Sequence, residues 1–333
     1  MTNSDNVIAN PHDKSAKKRF PNVIFLFLCA IIWGFGFIAQ RLGNQHVGPF
    51  TFNGIRFLLG ALTISPLLLV TRRSEQRETA SLDLTKAKAM AQKKRRAWLM
   101  GSLICGLALF AGASFQQIGL INTEAGKAGF ITALYIILVP LIGLLLGKRV
   151  GWNVWLGLAL AVGGLYLLMV KGDFDIATSD LIILIGAFLW ALHILSVDHF
   201  TEKVDGIRLA FGQFLVSGLF SFGIALLRET ISWPAIQEAM LPLLFSGVVV
   251  AGVAFTFQVL GQRGTNPTLA ALIMSLEAVF AVIGGILFLN ERMSPREWLG
   301  SGLMLIALII AQVRFQNKSK VTTFSTNEIN NKT

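Results

Sequence analysis

The chain alternates long apolar runs with short polar interruptions, and the runs have the length of a bilayer rather than of a core helix. A hydrocarbon core of about 30 Å is crossed by about 20 apolar residues in helical form. Ten windows meet that requirement, at roughly 22–40, 50–70, 98–120, 124–146, 151–170, 180–198, 207–227, 239–261, 267–289 and 297–315. They leave no soluble domain of useful size. The first run follows Lys17-Lys18-Arg19, as a secretory signal would. It is about 19 residues long and lacks a small-residue cleavage site, so it reads as a first transmembrane helix.

The second half of the pattern repeats the first. The stretch AGFITALYIILVPLIGLLLGKR at 128–149 reads against AALIMSLEAVFAVIGGILFLNER at 270–292, and Trp155-Leu156-Gly157 follows the former as Trp298-Leu299-Gly300 follows the latter. Phe115-Gln116 and Gly119 recur 142 positions on as Phe257-Gln258 and Gly261, and Phe57-Leu58 and Leu62 recur 157 positions on as Phe214-Leu215 and Leu219. Each copy holds five apolar segments, and an odd number of crossings places the second copy upside down relative to the first. The expected fold is therefore an all-α membrane protein of ten transmembrane helices in two five-helix inverted-topology repeats, the architecture of alternating-access carriers. Its parts are a tail at 1–21, a first repeat at 22–170 with a basic connection at 71–97, a second repeat at 180–314, and a tail at 315–333.

Composition agrees with lipid, with 54% hydrophobic and 14% charged residues and a mean hydropathy of +0.64. A net charge of +11 would suit nucleic acid, but its distribution says otherwise. With the N-terminus inside, 22 Lys and Arg fall on cytoplasmic segments and six on the opposite side, with Arg56 inside a span. That asymmetry is the positive-inside rule, which puts both termini in the cytoplasm of an inner-membrane protein and makes lipid, not nucleic acid, the partner of the basic charge. The connection 71–97 reads as a solvated linker; the alternative is an interfacial helix with Leu82, Leu84, Ala87 and Met90 on one face. The polar tails read as disordered, and the sequon at Asn317 lies on the cytoplasmic side. Monomer and homodimer both stay open.

No motif for covalent chemistry is present. There is no phosphate-cradling Gly-Lys-Ser/Thr loop, no His-Glu-x-x-His and no cysteine pair, so no cofactor and no metal is expected. Gly34-Phe-Gly36-Phe-Ile-Ala39 resembles a dinucleotide fingerprint but sits inside a span with no preceding strand. Its glycines read as packing devices, as do Gly143-x-x-x-Gly147 and Ser102-x-x-x-Gly106. Cys29 and Cys105 lie in apolar segments and read as packing residues.

The stretches PFTFNGIRFLLGAL at 49–62, GLINTEAGKAGFITALYIILVPLIG at 119–143 and SLEAVFAVIGGILFLNER at 275–292 resemble the EamA family of the drug/metabolite transporter superfamily, over nearly the whole of 22–314. The resemblance implies a ten-helix inverted repeat that moves small metabolites, often amino acids outward, through a central cavity. The chain departs from that pattern at Ala278, where many relatives carry proline, and at Lys148-Arg149, where its own second repeat has Glu291-Arg292.

Candidate site residues are the polar ones at membrane depth, where a charge costs about 2.5–3.5 kcal/mol on insertion scales and so faces a bundle interior or a wet cavity. Glu277 lies at the centre of 267–289, where the first repeat has Leu134 or Tyr135, depending on a one-residue gap. It reads as a contact for a substrate ammonium or a proton carrier, or else as an inter-helix carboxyl. Arg56 sits about 9 Å from the end of its span; it would meet a substrate carboxylate, or snorkel, and its repeat partner Gln213 is neutral. His193, about two-thirds along the sixth span, reads as a group that titrates near neutral pH or as a hydrogen-bonded helix contact. Gln116 and Gln258 bond substrate or a neighbouring helix. Trp33, Trp190, Tyr135 and Phe255 wall an amphipathic cavity or simply pack.

The sequence thus points to a secondary transporter exporting amino acids or similarly small metabolites, a small-molecule substrate being its partner. The alternatives are a membrane-embedded enzyme or carrier acting on lipid-linked or sugar substrates, and a non-transporting assembly or sensor protein. The charge asymmetry makes a direct prediction. In a version lacking Cys29 and Cys105, Phe174→Cys and Met293→Cys should react with an impermeant thiol reagent in intact cells, and Thr85→Cys and Lys318→Cys only after permeabilisation. Labelling of Thr85→Cys in intact cells would overturn the ten-span topology.

Overall fold

A backbone in lipid has no water to bond and must satisfy its polar groups internally, so apolar runs of this length fold as helices. In the computed structural model the described residues are 11–69, 71, 83–145, 147, 151–171, 175–265 and 267–312. The helices are α1 (Pro11–Gly43), α2 (Pro49–Ile64), α3 (Leu84–Gly119), α4 (Ala125–Ala133), α5 (Tyr135–Leu145), α6 (Trp152–Met169), α7 (Thr178–Thr201) and α8 (Gly206–Arg228). They continue with α9 (Trp233–Glu238), α10 (Met240–Leu244), a π-helix (Phe245–Phe255), α11 (Thr256–Gln262), α12 (Pro267–Ser275), α13 (Glu277–Leu289) and α14 (Pro295–Gln312). A short antiparallel pairing of Val170 with Ile176 and Lys171 with Asp175 joins α6 to α7.

Seven helical stretches among the described residues are long and apolar enough to cross a membrane: Asn22–Gly43, Lys88–Gly119, Ala125–Leu145, Thr178–Thr201, Gly206–Arg228, Met240–Gln262 and Pro267–Leu289. Each coincides with a segment expected from the sequence. The other three expected segments are also helical but shorter or more polar, with α2 at 16 residues and α6 and α14 at 18 each.

The basic connection is corrected in part. From Leu84 onward it is neither a linker nor a separate interfacial helix, because α3 runs unbroken for 36 residues into the apolar segment. At 1.5 Å per residue that is about 54 Å, well beyond a bilayer core. Lys, Gln, Ala and Met favour helix, and extending an existing helix avoids the cost of nucleation. Residues 72–82, Leu82 among them, lie outside the described residues, as do the tail beyond 312 with its sequon and residues 1–10.

Helix pairing is orderly. The closely packed pairs include α6 with α14, α2 with α8, and α4 with α13, and then α3 with α7, α1 with the π-helix and α11, α3 with α8, and α2 with the π-helix. Small residues set the closest approaches. A Cβ on Gly34 of α1 would stand 2.3 Å from the Phe280 Cβ and 2.8 Å from the Glu277 carbonyl oxygen. One on Gly106 of α3 would stand 2.5 Å from the Val216 Cβ of α8. Gly34, Gly36 and Gly106 are thus packing devices as expected, and Cys29 and Cys105 are buried and free. Gly147 is not one: its φ is +79° with nothing within 4 Å of an added Cβ, so it serves the turn after α5.

Two spans are broken at matching points. The helix of the fourth segment is interrupted at Leu134 and that of the ninth at Leu276, 142 positions apart. At both, amides reach back only three residues, Leu134 to Ile131 and Leu276 to Ile273. The ninth segment breaks without a proline at 278. Ser275 contributes locally, since its hydroxyl bonds the Leu272 carbonyl at 2.6 Å. The break also settles the gap in the repeat alignment, making Tyr135 the counterpart of Glu277.

Overpacking at a close approach typically costs about 1–3 kcal/mol. Gly34→Val should therefore lower the melting temperature of the detergent-purified protein. Gly223→Ala, with nothing within 4 Å of the new methyl group, should leave it unchanged or raise it. Equal melting of the two variants would show the α1–α13 contact to be slack.

Candidate functional site

The two helix breaks open onto a small cavity between the halves. Its walls come from α1, α2, α3, α4, α5, α7, the π-helix and α13. Six of the eight candidate residues line it: Glu277, Arg56, Gln116, Trp33, Trp190 and Tyr135. Phe255 lines it as well.

Glu277 begins α13, where a carboxylate suits the partial positive charge of a helix N-terminus. It is 3% exposed and its Oε1 has no hydrogen-bond partner. The Tyr135 hydroxyl comes within electrostatic reach of the carboxyl without reaching hydrogen-bond geometry, and Cys29 lies alongside. Arg56, 2% exposed, lays its guanidinium over the rings of Phe57 at 4.6 Å and Phe52 at 5.8 Å. Cation–π contacts of this kind contribute about 0.5–2 kcal/mol. The guanidinium has no carboxylate partner among the described residues, and Arg56 and Glu277 do not pair with each other.

The lining also holds an aromatic cluster around Phe255, whose ring centroid is 4.7 Å from that of Trp33, 5.8 Å from Trp190 and 6.0 Å from Phe57. Two contacts join residues 157 positions apart: Trp33 with Trp190 at 6.1 Å and Phe57 with Phe214 at 6.2 Å. One side of the cavity carries a hydrogen-bond chain. Trp190 Nε1 donates to Gln116 Oε1 at 2.7 Å, Gln116 Nε2 to Gln40 Oε1 at 3.2 Å, and Gln40 Nε2 to the Gly36 carbonyl at 3.2 Å.

His193 and Gln258 are outside the lining. His193 is fully buried one layer back, its Nε2 2.9 Å from Gln213 Oε1 and its ring edge-on to Trp190 and Phe255. It is a helix contact that backs the aromatic wall. Gln258 is fully buried and its amide has no partner. Five lining residues went unread: Phe37, Gln40, Thr132, Ile194 and Val250. Gln40 was the legible one, a polar residue at the edge of the first apolar run, but in that place it reads as the membrane boundary.

Beyond the glutamine chain the same end of the bundle is tied by charge. Arg41 Nη1 lies 3.2 Å from Glu291 Oε1 and donates to the Thr123 carbonyl at 2.8 Å. The Glu291 carboxylate also accepts from Ala125 N at 2.7 Å and Gly126 N at 3.1 Å, capping α4 from the connection after α13. A left-handed Asn290, φ 52°, turns the chain so that Glu291 reaches there. Glu229 caps α2 likewise, accepting from Phe50 N at 2.8 Å and Thr51 N at 2.7 Å. Lys127 and Asp180 form a buried ion pair, and Thr123 adds a hydrogen bond to Asp180 at 3.0 Å.

Comparison with known proteins decides what kind of molecule this is. The EamA-like transporter family matches twice, at residues 21–170 and 177–312. The chain belongs to that family. It is 29% identical over 299 residues to an uncharacterized transporter of Archaeoglobus fulgidus, covering 89% of this chain and 87% of the relative. It is 22% identical to the uncharacterized transporter YoaV of Bacillus subtilis over 86% of this chain and 95% of that one. With the uncharacterized inner membrane transporter YedA of Escherichia coli K12 it shares 23% identity over 86% of this chain and 88% of the relative. A crystal structure of a protein sharing 18% identity superimposes with a TM-score of 0.65, over 88% of this chain and 97% of that one, which shows a shared fold. Family membership and the apolar helices together make the chain a multi-pass membrane transporter.

The cavity charges and the buried ion pair should respond oppositely to mutation. Asp180→Asn strands the Lys127 ammonium and should cost about 3–5 kcal/mol, read as a clear drop in melting temperature. Arg56→Met removes a buried charge that has ring contacts but no ionic partner, so melting should be unchanged or higher. A large loss of stability in Arg56→Met would make that arginine a structural residue.

Proposed function

We propose that this EamA-family protein is a ten-span secondary transporter of the inner membrane, with both termini in the cytoplasm, which exports amino acids or similarly small metabolites. Repeats 22–170 and 180–314 alternate access to the central cavity. Several observations support the architecture. The family matches once in each half. The packed pairs map onto one another under exchange of halves, with α3 against α7 answering α1 against the π-helix and α11. The breaks at Leu134 and Leu276 fall at equivalent positions. The relative YedA is named for the inner membrane, and the skew of Lys and Arg supports cytoplasmic termini.

One observation carries the substrate reading: a cation and a carboxylate, each buried and without an ionic partner, line one small cavity together with aromatic rings. A buried charge without a partner is costly, and these two do not compensate each other. An α-amino acid supplies both complements at once, its carboxylate for Arg56 and its ammonium for Glu277, while Trp33, Trp190 and Phe255 receive an apolar side chain. An amine alone leaves Arg56 unpaired, and a simple carboxylate leaves Glu277. With no nucleotide-binding motif in the sequence, the driving force is a gradient. The enzyme alternative needs clustered acids, histidines or arginines at one interface, and no observation favours it.

The test is flux in proteoliposomes with a panel of amino acids, beside a comparison of metabolites in medium from overexpressing and deleted cells. Uptake should saturate and be accelerated by unlabelled substrate on the far side. Glu277→Gln keeps the side chain's shape but not its charge, so it should retain expression and melting temperature while losing at least tenfold in flux. Normal flux in that variant would overturn the role of Glu277, and non-saturating, electrically measurable flux would overturn alternating access.

A further inference from the structure

The cavity contains one half of a duplicated hydrogen bond. Trp33 and Trp190 stand 157 positions apart, the spacing that also relates Phe57 to Phe214, and Gln116 and Gln258 stand 142 apart. In one combination, Trp190 of α7 and Gln116 of α3, the bond is made at 2.7 Å. In the exchanged combination, Trp33 of α1 and Gln258 of α11, it is not, although α1 and α11 are packed together. Trp33 Nε1 and both polar atoms of the Gln258 amide are buried with no hydrogen-bond partner, at residue exposures of 7% and 0%.

Three orphaned polar atoms on two touching helices are a standing cost unless another state of the molecule uses them. We propose that Trp33–Gln258 is a second lock, closed when Trp190–Gln116 is open, so that the two bonds mark the two ends of the transport cycle. The inference rests on the alternating-access reading above and adds the residues that hold each state. The two tryptophans touch each other and share Phe255, so they move as one aromatic unit, and displacement of that unit toward one glutamine withdraws it from the other. The Gln116 end is also the end where two residues of α1 are held, Gln40 by Gln116 and Arg41 by Glu291. The two halves differ just ahead of the glutamines. Residues 245–255 before Gln258 are π-helical, whereas the equivalent residues 103–113 before Gln116 are α-helical. A π-helix turns less per residue than an α-helix, so its relaxation to α-helix rotates Gln258 about the helix axis.

The experiment uses the full chain lacking Cys29 and Cys105, with Thr132→Cys in the cavity as reporter. An impermeant maleimide is applied to intact cells and to inside-out vesicles, and no substrate is needed. Gln116→Leu should raise the ratio of outside to inside labelling by about two- to tenfold, the weight of one hydrogen bond. Gln258→Leu should lower it by a similar factor, and the double variant should return toward the parent. Trp190→Phe and Trp33→Phe, which remove only the donors, should repeat the two shifts and serve if a leucine variant fails to fold. Shifts in the same direction, or unchanged labelling in well-folded variants, would overturn the second lock. Equal labelling from both sides in every variant, with the reporter open to both at once, would instead overturn alternating access itself. Absence of amino-acid flux would leave the labelling result untouched and reject only the substrate reading.

Discussion

The absence of water from the bilayer interior is the constraint from which the rest of the structure follows. It removes the usual hydrophobic drive between helices, so they associate through close backbone contact at small residues such as Gly34, Gly60 and Gly106. It also makes any stranded polar group costly. The chain meets that cost at the Arg41 end, where carboxylates cap helix N-termini and a buried ion pair is sealed with Thr123. It leaves the cost standing in and around the central cavity, where Arg56, Glu277, Trp33 and Gln258 have open valences. A protein selected for stability alone would have filled these positions with apolar side chains. On the transport reading proposed above, this is the region where the molecule exchanges internal bonds for bonds to a substrate.

The apolar segments were legible because membrane-spanning helices are written in composition, and the duplication because Phe57, Phe214, Gln116 and Gln258 keep their spacing across the halves. Glu277 and Arg56 stood out by the same logic, as charges within apolar runs. What escaped were features that depend on partners distant in the chain or on local backbone choice. Gln40 looked like the end of a span, although it is bonded to Gln116, 76 residues away. The break at Leu276 has no proline to announce it, and the π-helix at 245–255 carries no composition that separates it from ordinary helix. The start of α3 at Leu84 was hidden by its charges, which suggested a linker because helical periodicity in water and helical continuation out of a membrane look different.

His193 shows the limit of reading chemistry from residue type. A buried imidazole near a tryptophan invites a functional reading, yet it turns its Nε2 to Gln213 and its ring to the back of the aromatic wall. Gln213 occupies the repeat position of Arg56. One half of the molecule therefore places a charge in the cavity at that position, and the other a neutral amide occupied with a neighbour. The duplication supplied two similar scaffolds, and the asymmetry between their polar residues gives the cavity its electrical direction.

The caps on α2 and α4 have a consequence for how the protein is made. Both helices belong to the first half of the chain, and both N-termini are closed by carboxylates of the second half, Glu229 and Glu291. As the chain leaves the ribosome, the early helices enter the membrane with those amide groups open, and they stay open until residues 229 and 291 have been synthesised and inserted. The first half is thus an unfinished object by construction, completed only from outside itself. A chain truncated before residue 229 lacks both caps, and one that ends before residue 291 lacks the cap on α4.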